Sequence, residues 1–421
     1  MNNVDIRKYT RMVQCLWQSE PRNDNDPSIP IWCLGQKYLS SGFNTTTLQS
    51  GEHDNPGGDG GRIEQTPKLD ANNSTNGTNE SVDWPAAFLD DFESRIWITY
   101  RSDFPPIPKS DDPEASSAMT LSVRLRSQWV NSNGFTSDSG WGCMIRSGQS
   151  LLANALSILT LGRDWRRDES TDDELPLISL FADDPRAPFS IHRFVETGAA
   201  HCGKYPGQWF GPSATATCIQ KLVNEVEDHP LVNVYVSVDS PDVYENKIYD
   251  IASRGPQKFN PTLILLGVRL GLDRINPVYW EALASLLQMS QSVGIAGGRP
   301  SSSLYFVGVQ GHHFFYLDPH CTRIAPHYDP STKLSREELG TYHTRRLRRI
   351  HVEDMDPSML LGFLVKDERD FQKWKDEICS AKYKTIIHVS DSQPTLPNVR
   401  YILRDSAVDE VEAFDDDEFD T

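Results

Sequence analysis

Apolar residues recur at helical spacing at Leu151, Leu152, Ala155, Leu156 and Leu159. The run before them, Ser137-Asp138-Ser139-Gly140-Trp141-Gly142, is polar and glycine-rich, so the pattern predicts a helix whose first turn holds Cys143. Elsewhere the pattern changes period. LVNVYVSV at 231–238 and PTLILLGVRLG at 261–271 are dense in Val, Ile and Leu and predict strands buried on both faces. IWCLGQKY at 31–38 predicts a first strand, and WPAAFLDDFESRIWITYR from Trp84 predicts a helix running into an extended aromatic segment. Pro105, Pro106 and Pro108 predict a stiff loop after it. FSIHRFVETGAA and the stretch opened by Pro212 read as helices, and NPVYWEALASLLQ reads as a helix capped by Asn276 with Pro277 in its first turn. GGRPSSSLYFVGVQGHHFFYLDPH predicts a loop and then a hairpin turning near Gln310-Gly311. A helix near 368–380 and a strand TIIHVSD close the ordered pattern.

Three stretches lack either period. Residues 40–83, with runs such as NPGGDGG and NNSTNGTNES, predict a disordered insertion. The tail from Asp409 holds eight acids in thirteen residues and predicts a disordered acidic end. Residues 163–185 mix charges and read as solvated surface. The expected organisation is an arm at 1–30 with a short helix over Ile6, Tyr9, Val13 and Leu16, one domain at 31–404 interrupted by the insertion, and the tail at 405–421.

Composition narrows the function classes. A formal charge of −18 argues against nucleic acid or anionic membrane as a direct electrostatic partner. No signal-like apolar run opens the chain, so a cytoplasmic protein is expected. Seven cysteines in scattered positions predict neither a disulfide framework nor a metal site, and no cofactor is called for.

The chemistry concentrates at Cys143. Free N–H groups and the positive end of the helix dipole favour a thiolate there, and Gly140 and Gly142 let another backbone approach closely. A cysteine opening a buried helix is more often a small hydrophobe, so the stretch alone does not establish a nucleophile. Asp318 and His320 supply the second element. If the strand continues through Pro319, both side chains lie on one face, where the carboxylate can hold the imidazole that receives the thiol proton. His192 lacks an acidic neighbour to orient it, His312 and His313 are expected exposed at the hairpin turn, and Cys321 is read as a bystander. Tyr100 reads as a half-buried tyrosine, and Trp209 as a loop lid over the core.

The segments IWCLGQKY, WITYRSDF, GWGCMIRSGQ, GQWFGP, GGRPSSSLYFVG, YLDPH and MDPSMLLGFLVKD, in that order, resemble the autophagins. These are cysteine proteases of autophagy that process a ubiquitin-like modifier of the GABARAP type. The resemblance implies a papain-like α/β fold in which the nucleophile helix packs on an antiparallel sheet. It implies Cys143, His320 and Asp318 as catalytic residues, with the Tyr100 hydroxyl beside the Cys143 N–H in the oxyanion hole. It also implies that Trp209 lines a narrow entrance for the substrate's C-terminal glycine and that the GGRPSSS loop at 297–303 covers the thiol at rest; Pro300 on that loop offers an apolar face to rest on the Trp209 indole, and the small Gly142 admits the substrate backbone. The implied substrates are the modifier precursor and its phosphatidylethanolamine conjugate, with membrane contact only through the latter. A monomer in the cytoplasm, at autophagosome assembly sites and in the nucleus, is expected. A transglutaminase-like acyltransferase and a non-catalytic modifier binder are the alternatives.

Overall fold

The computed structural model describes residues 20–23, 28–39, 84–112, 115, 119–121, 123–125, 134–168, 172–226, 232–238, 240–255, 257–298, 302–329 and 334–393. The expected arm helix, the 40–83 insertion, the acidic tail and Pro300 lie outside the described residues. The strands are β1 (Ile31–Cys33), β2 (Gln36–Tyr38), β3 (Arg101–Ile107), β4 (Phe135–Ser137), β5 (Asn233–Ser237), β6 (Asp242–Tyr244), β7 (Thr262–Arg269), β8 (Ser292–Gly297), β9 (Leu304–Gln310), β10 (His313–Leu317), β11 (Arg323–Ile324), β12 (Arg349–His351), β13 (Ser358–Val365) and β14 (His388–Ser390). The helices are α1 (Ala86–Glu93), α2 (Cys143–Thr160), α3 (Leu175–Ser179), α4 (Ile191–Cys202), α5 (Pro212–Glu225), α6 (Glu245–Ala252), α7 (Trp280–Leu286), α8 (Arg336–Gly340) and α9 (Glu368–Cys379).

One large sheet runs β12-β10-β9-β8-β13-β7-β5, with β1 added to β9 and β2 to β1. Every pair in it is antiparallel except β5 with β7, so the expected antiparallel sheet is mixed at one edge. Alternation along its strands feeds two cores. Leu263 and Leu265 face one core while Ile264 and Leu266 face the other, and Leu360 and Leu364 oppose Leu361 and Phe363 in the same way. Burial on both faces explains why these strands read as continuous apolar runs.

Helix α2 lies on the first face and is buried from Cys143 to Ile158. Two glycines let it sit that deep. A Cβ at Gly362 of β13 would come within 3.0 Å of Leu151, and one at Gly148 would meet Thr215 of α5 at 2.3 Å. Each leucine buried here contributes about 1.5–3 kcal/mol relative to exposure. The nucleophile helix is thereby wedged between sheet and α5.

Three local expectations change. IWCLGQKY is a hairpin of two short strands, because Leu34 and Gly35 both adopt positive φ and a Cβ at Gly35 would meet Met289 O at 2.4 Å. Pro105 and Pro106 fall inside β3 rather than in a loop. Proline has no N–H to donate, and β3 meets β4 only at Ser102 and Ile107, on either side of the prolines. The 163–185 stretch contains α3 and buries Glu174 and Asp183 instead of presenting all its charges to water.

Candidate active site

Cys143 opens α2 and is fully buried. The turn before it is closed by the Asp138 carbonyl, which accepts N–H bonds from Trp141 at 3.1 Å and Gly142 at 2.9 Å. At Gly142 a Cβ would meet Asp138 Oδ2 at 2.3 Å, so packing inside the turn by itself requires glycine there.

Strand β10 ends at Leu317, one residue short of Asp318, so the aspartate and histidine are not paired by strand alternation. They meet in a turn. Asp318 Oδ1 accepts the backbone N–H of His320 at 3.0 Å and stands 2.6 Å from its Nδ1. A side-chain oxygen bonding the backbone two residues on is an Asx turn, and here the same atom also holds the ring. Arg348 stands 4.0 Å from the other carboxylate oxygen. With Nδ1 engaged, Nε2 is left free of other partners and faces the Cys143 sulfur.

A segment without regular structure, residues 94–100, joins the two halves of the site. Its backbone is satisfied by side chains of α2: Asn154 bonds both the N–H and the C=O of Ile96 at 3.0 and 2.9 Å, and Ser150 Oγ accepts the N–H of Ile98 at 3.0 Å. On its other side Trp97 Nε1 donates to Asp318 O at 2.8 Å, and the Tyr100 N–H donates to Pro319 O at 2.9 Å. Tyr100 is buried, its ring stands edge-on to His320 with centroids 5.4 Å apart, and its hydroxyl faces Cys143 and Gly140 without closing a well-aligned hydrogen bond.

The electrostatics favour an ion pair. Burial alone would raise the Cys143 thiol, but the hydrogen bond and charge of His320, the Ser303 N–H and the Tyr100 hydroxyl bring it down to about 7. Burial alone would lower His320, but Asp318 and Cys143 hold it up at about 10. Asp318 stays well below the usual carboxylate range, because His320 and Arg348 outweigh its own burial. Tyr100 is pushed up by burial first, then by the charges of Cys143 and Asp138, so it remains a phenol able to donate. The pair is therefore a thiolate and an imidazolium between about pH 7 and about 10. The alkylation rate of Cys143 by iodoacetamide is expected to rise through about pH 7 and then stay level to about pH 10. Turnover should fall on both sides of that window, with loss of the thiolate below and of the imidazolium above. An alkylation rate still climbing at pH 9, as for a thiol of ordinary acidity, would count against the ion pair.

Trp209 is partly buried against the first core, with Nε1 enclosed and unpartnered. Ser303, in the described end of the GGRPSSS loop, is buried with its N–H toward the Cys143 sulfur and its hydroxyl unpartnered. His192 is a core histidine, its Nε2 2.6 Å from Pro105 O. His312 and His313 are half-buried rather than exposed, since His312 packs on Trp280 and stands 2.8 Å from Glu281; neither belongs to the site. Cys321 is exposed. Sequence reading missed Trp97, Ser150, Asn154 and Ser303. The aromatic and polar identities are visible in the chain, but the long-range backbone groups they serve are not.

A thiolate at a helix N-terminus, paired with an imidazolium that a carboxylate orients, is the arrangement of a cysteine protease. Residues 85–377 match the Peptidase C54 catalytic domain. The chain is 55% identical to a probable cysteine protease ATG4 of Coccidioides immitis over 99% of this chain and all of that protein. It is 54% identical to a probable cysteine protease atg4 of Sclerotinia sclerotiorum over all of this chain and 99% of that one. With the cysteine protease atg4 of Emericella nidulans it shares 53% identity over 99% of each. The chain belongs to the Peptidase C54 family of cysteine proteases.

Proposed function

We propose that this protease hydrolyses the peptide bond after the C-terminal glycine of a GABARAP-type ubiquitin-like autophagy modifier, both to mature its precursor and to release it from phosphatidylethanolamine. The buried Cys143–His320–Asp318 arrangement carries the reading. The resemblance to the autophagins and the full-length relatives named cysteine protease ATG4 support the substrate class.

In the proposed reaction the Cys143 thiolate attacks the glycyl carbonyl. The oxyanion forms between the Tyr100 hydroxyl and the Cys143 N–H, donors worth about 10²–10³-fold each in comparable sites. His320 gives its proton to the leaving amine, either the extension peptide or the ethanolamine. It then takes a proton from the water that releases the acyl-enzyme. The Ser303 N–H lies toward the Cys143 sulfur, and on this reading the GGRPSSS loop lifts to admit the substrate. Trp209 and Pro300 form the gate on this reading, and Gly142 flanks the passage. Neither metal nor organic cofactor takes part. The enzyme works as a monomer in the cytoplasm, at autophagosome assembly sites and in the nucleus, and meets membrane through its lipidated substrate.

Incubating the chain with a GABARAP-type precursor and weighing the products tests the reading; an unchanged mass would reject it, and incubation with the lipid conjugate tests release separately. Alanine in place of the substrate's terminal glycine is expected to slow cleavage by far more than the 10- to 200-fold that one methylene commonly costs, because the added methyl meets an indole in a closed passage. Trp209→Ala should relax that discrimination, and equal cleavage of both substrates by the unmodified enzyme would remove the gate.

A further inference from the structure

Behind the nucleophile lies a group of charges that the reaction above does not use. Arg146, three residues into α2 from Cys143, is fully buried between two aspartates. Its Nε and Nη2 reach the Asp138 carboxylate at 2.7 and 3.2 Å, and its Nη1 reaches Asp183 Oδ1 at 2.7 Å. Nη1 also lies 3.1 Å from Gln149 Oε1. Asp138 is the member that faces the site. Its Oδ1 accepts the N–H of Arg101 at 2.7 Å, and its own N–H lies 3.3 Å from Arg101 O. Its carbonyl closes the turn that ends at Gly142, and its Oδ2 fills the space that a side chain at 142 would need. Arg101 directly follows Tyr100, and Gly142 directly precedes Cys143. One residue thus grips both chains that carry the oxyanion donors, each a single residue from its donor.

We propose that Asp138 is a positioning residue that sets the place of the Tyr100 hydroxyl relative to Cys143, and that Arg146, anchored on Asp183, fixes the Asp138 carboxylate in the orientation this requires. The inference rests on the reading of Tyr100 as an oxyanion donor. An oxyanion donor misplaced by about 1 Å loses much of its value, because it must stand within hydrogen-bond reach of the place where charge develops on the substrate. The buried carboxylate also helps keep Tyr100 in its donating form, after burial and the Cys143 charge. The hydrogen bonds of His320 run to Asp318 and Cys143 rather than to Asp138, so removing Asp138 should leave the thiolate–imidazolium pair in place apart from what the Tyr100 hydroxyl adds to it.

The experiment is a double-mutant cycle between Asp138→Ala and Tyr100→Phe, read with a GABARAP-type modifier fused through its terminal glycine to a fluorescent protein. Asp138→Ala leaves Arg146 and Asp183 as a one-to-one pair, so a folded protein is expected. Asp138→Asn, which keeps shape and an acceptor oxygen, carries the same cycle if the alanine variant does not fold. Tyr100→Phe should lower kcat by about 10²-fold with KM little changed. Asp138→Ala should lower kcat by about 10-fold or more in the unmodified enzyme, yet by less than about 3-fold in the Tyr100→Phe background, since the donor it places is already gone. Asp138→Asn should recover most of the activity that alanine loses. The alkylation midpoint of Cys143 should move no further in Asp138→Ala than in Tyr100→Phe, whose lost hydroxyl helps hold the thiolate, and no further in the double variant than in Tyr100→Phe alone, which a general loosening of the site would not allow. Full activity in Tyr100→Phe would remove the oxyanion reading and this inference with it. A slow Tyr100→Phe combined with additive losses, or an alkylation midpoint that moves further in Asp138→Ala than in Tyr100→Phe, would overturn the positioning role alone.

Discussion

Alanine at His320 is expected to slow turnover by about 10⁴-fold or more, and alanine at both His320 and Asp318 to cost little beyond that. Asp318 acts on the substrate only through the ring. Its Oδ1 holds both the backbone and Nδ1 of His320, and its charge is what keeps the imidazole protonated against burial. Without it, His320 loses the proton that the leaving amine needs, and Cys143 loses the cation that makes it a thiolate. Without His320, the carboxylate has nothing left to orient. Asp318→Asn keeps the turn but not the charge, so it should retain the fold, slow the chemistry and move the alkylation midpoint of Cys143 upward. Cys143→Ser should abolish turnover while leaving precursor binding near its normal strength, because only the attacking atom changes. Steady-state rates of the single and double variants with a modifier precursor measure this. Additive losses at 318 and 320 would mean separate roles, and a midpoint unchanged in Asp318→Asn would mean that the thiolate does not depend on the carboxylate.

The sequence shows some of this architecture and hides the rest, for physical reasons. Helical period locates α2 and dense apolar runs locate β5 and β7, because each is buried against the cores, while Pro212 marks the start of α5 and the Gln310-Gly311 turn marks the β9–β10 hairpin. The Asp318–His320 pairing is legible as residues but not as geometry. Alternation suggested a strand, whereas the Asp-Pro-His run forms a turn in which one carboxylate oxygen serves two donors. The hairpin at Leu34-Gly35 looks like one strand because its apolar run is unbroken and its turn is only two residues long. Most of what supports the site is silent in the pattern. Arg146, Gln149, Ser150 and Asn154 are polar by type, yet all four are buried. Their partners, Asp183, Phe189 O, Ile98 N and the Ile96 backbone, lie tens of residues away, and periodicity reports faces but not partners. Asp183 itself sits in a stretch whose charge density resembles solvated surface.

Removing the guanidinium should have the largest effect on stability. Arg146→Met keeps the length and apolar stem of the side chain but leaves the Asp138 and Asp183 carboxylates buried without a cation. Breaking a buried pair in this way costs about 3–5 kcal/mol. A domain of this size should lose on the order of 10 °C in melting temperature, at about 2–4 °C per kcal/mol. Asp138 already titrates above an ordinary carboxylate with Arg146 present, because burial outweighs the pairing. Without Arg146 its folded-state value rises further, away from the unfolded value of about 3.9. A carboxylate raised in the folded state destabilises it above the unfolded value and ceases to do so once protonated in both states. The stability deficit of Arg146→Met should therefore be largest near pH 7 and shrink as pH falls toward 4. Urea denaturation of both proteins at pH 7 and pH 5 measures the difference. A deficit below about 1 kcal/mol, or one that stays the same at both pH values, would show that Asp138 does not depend on Arg146 for its charge.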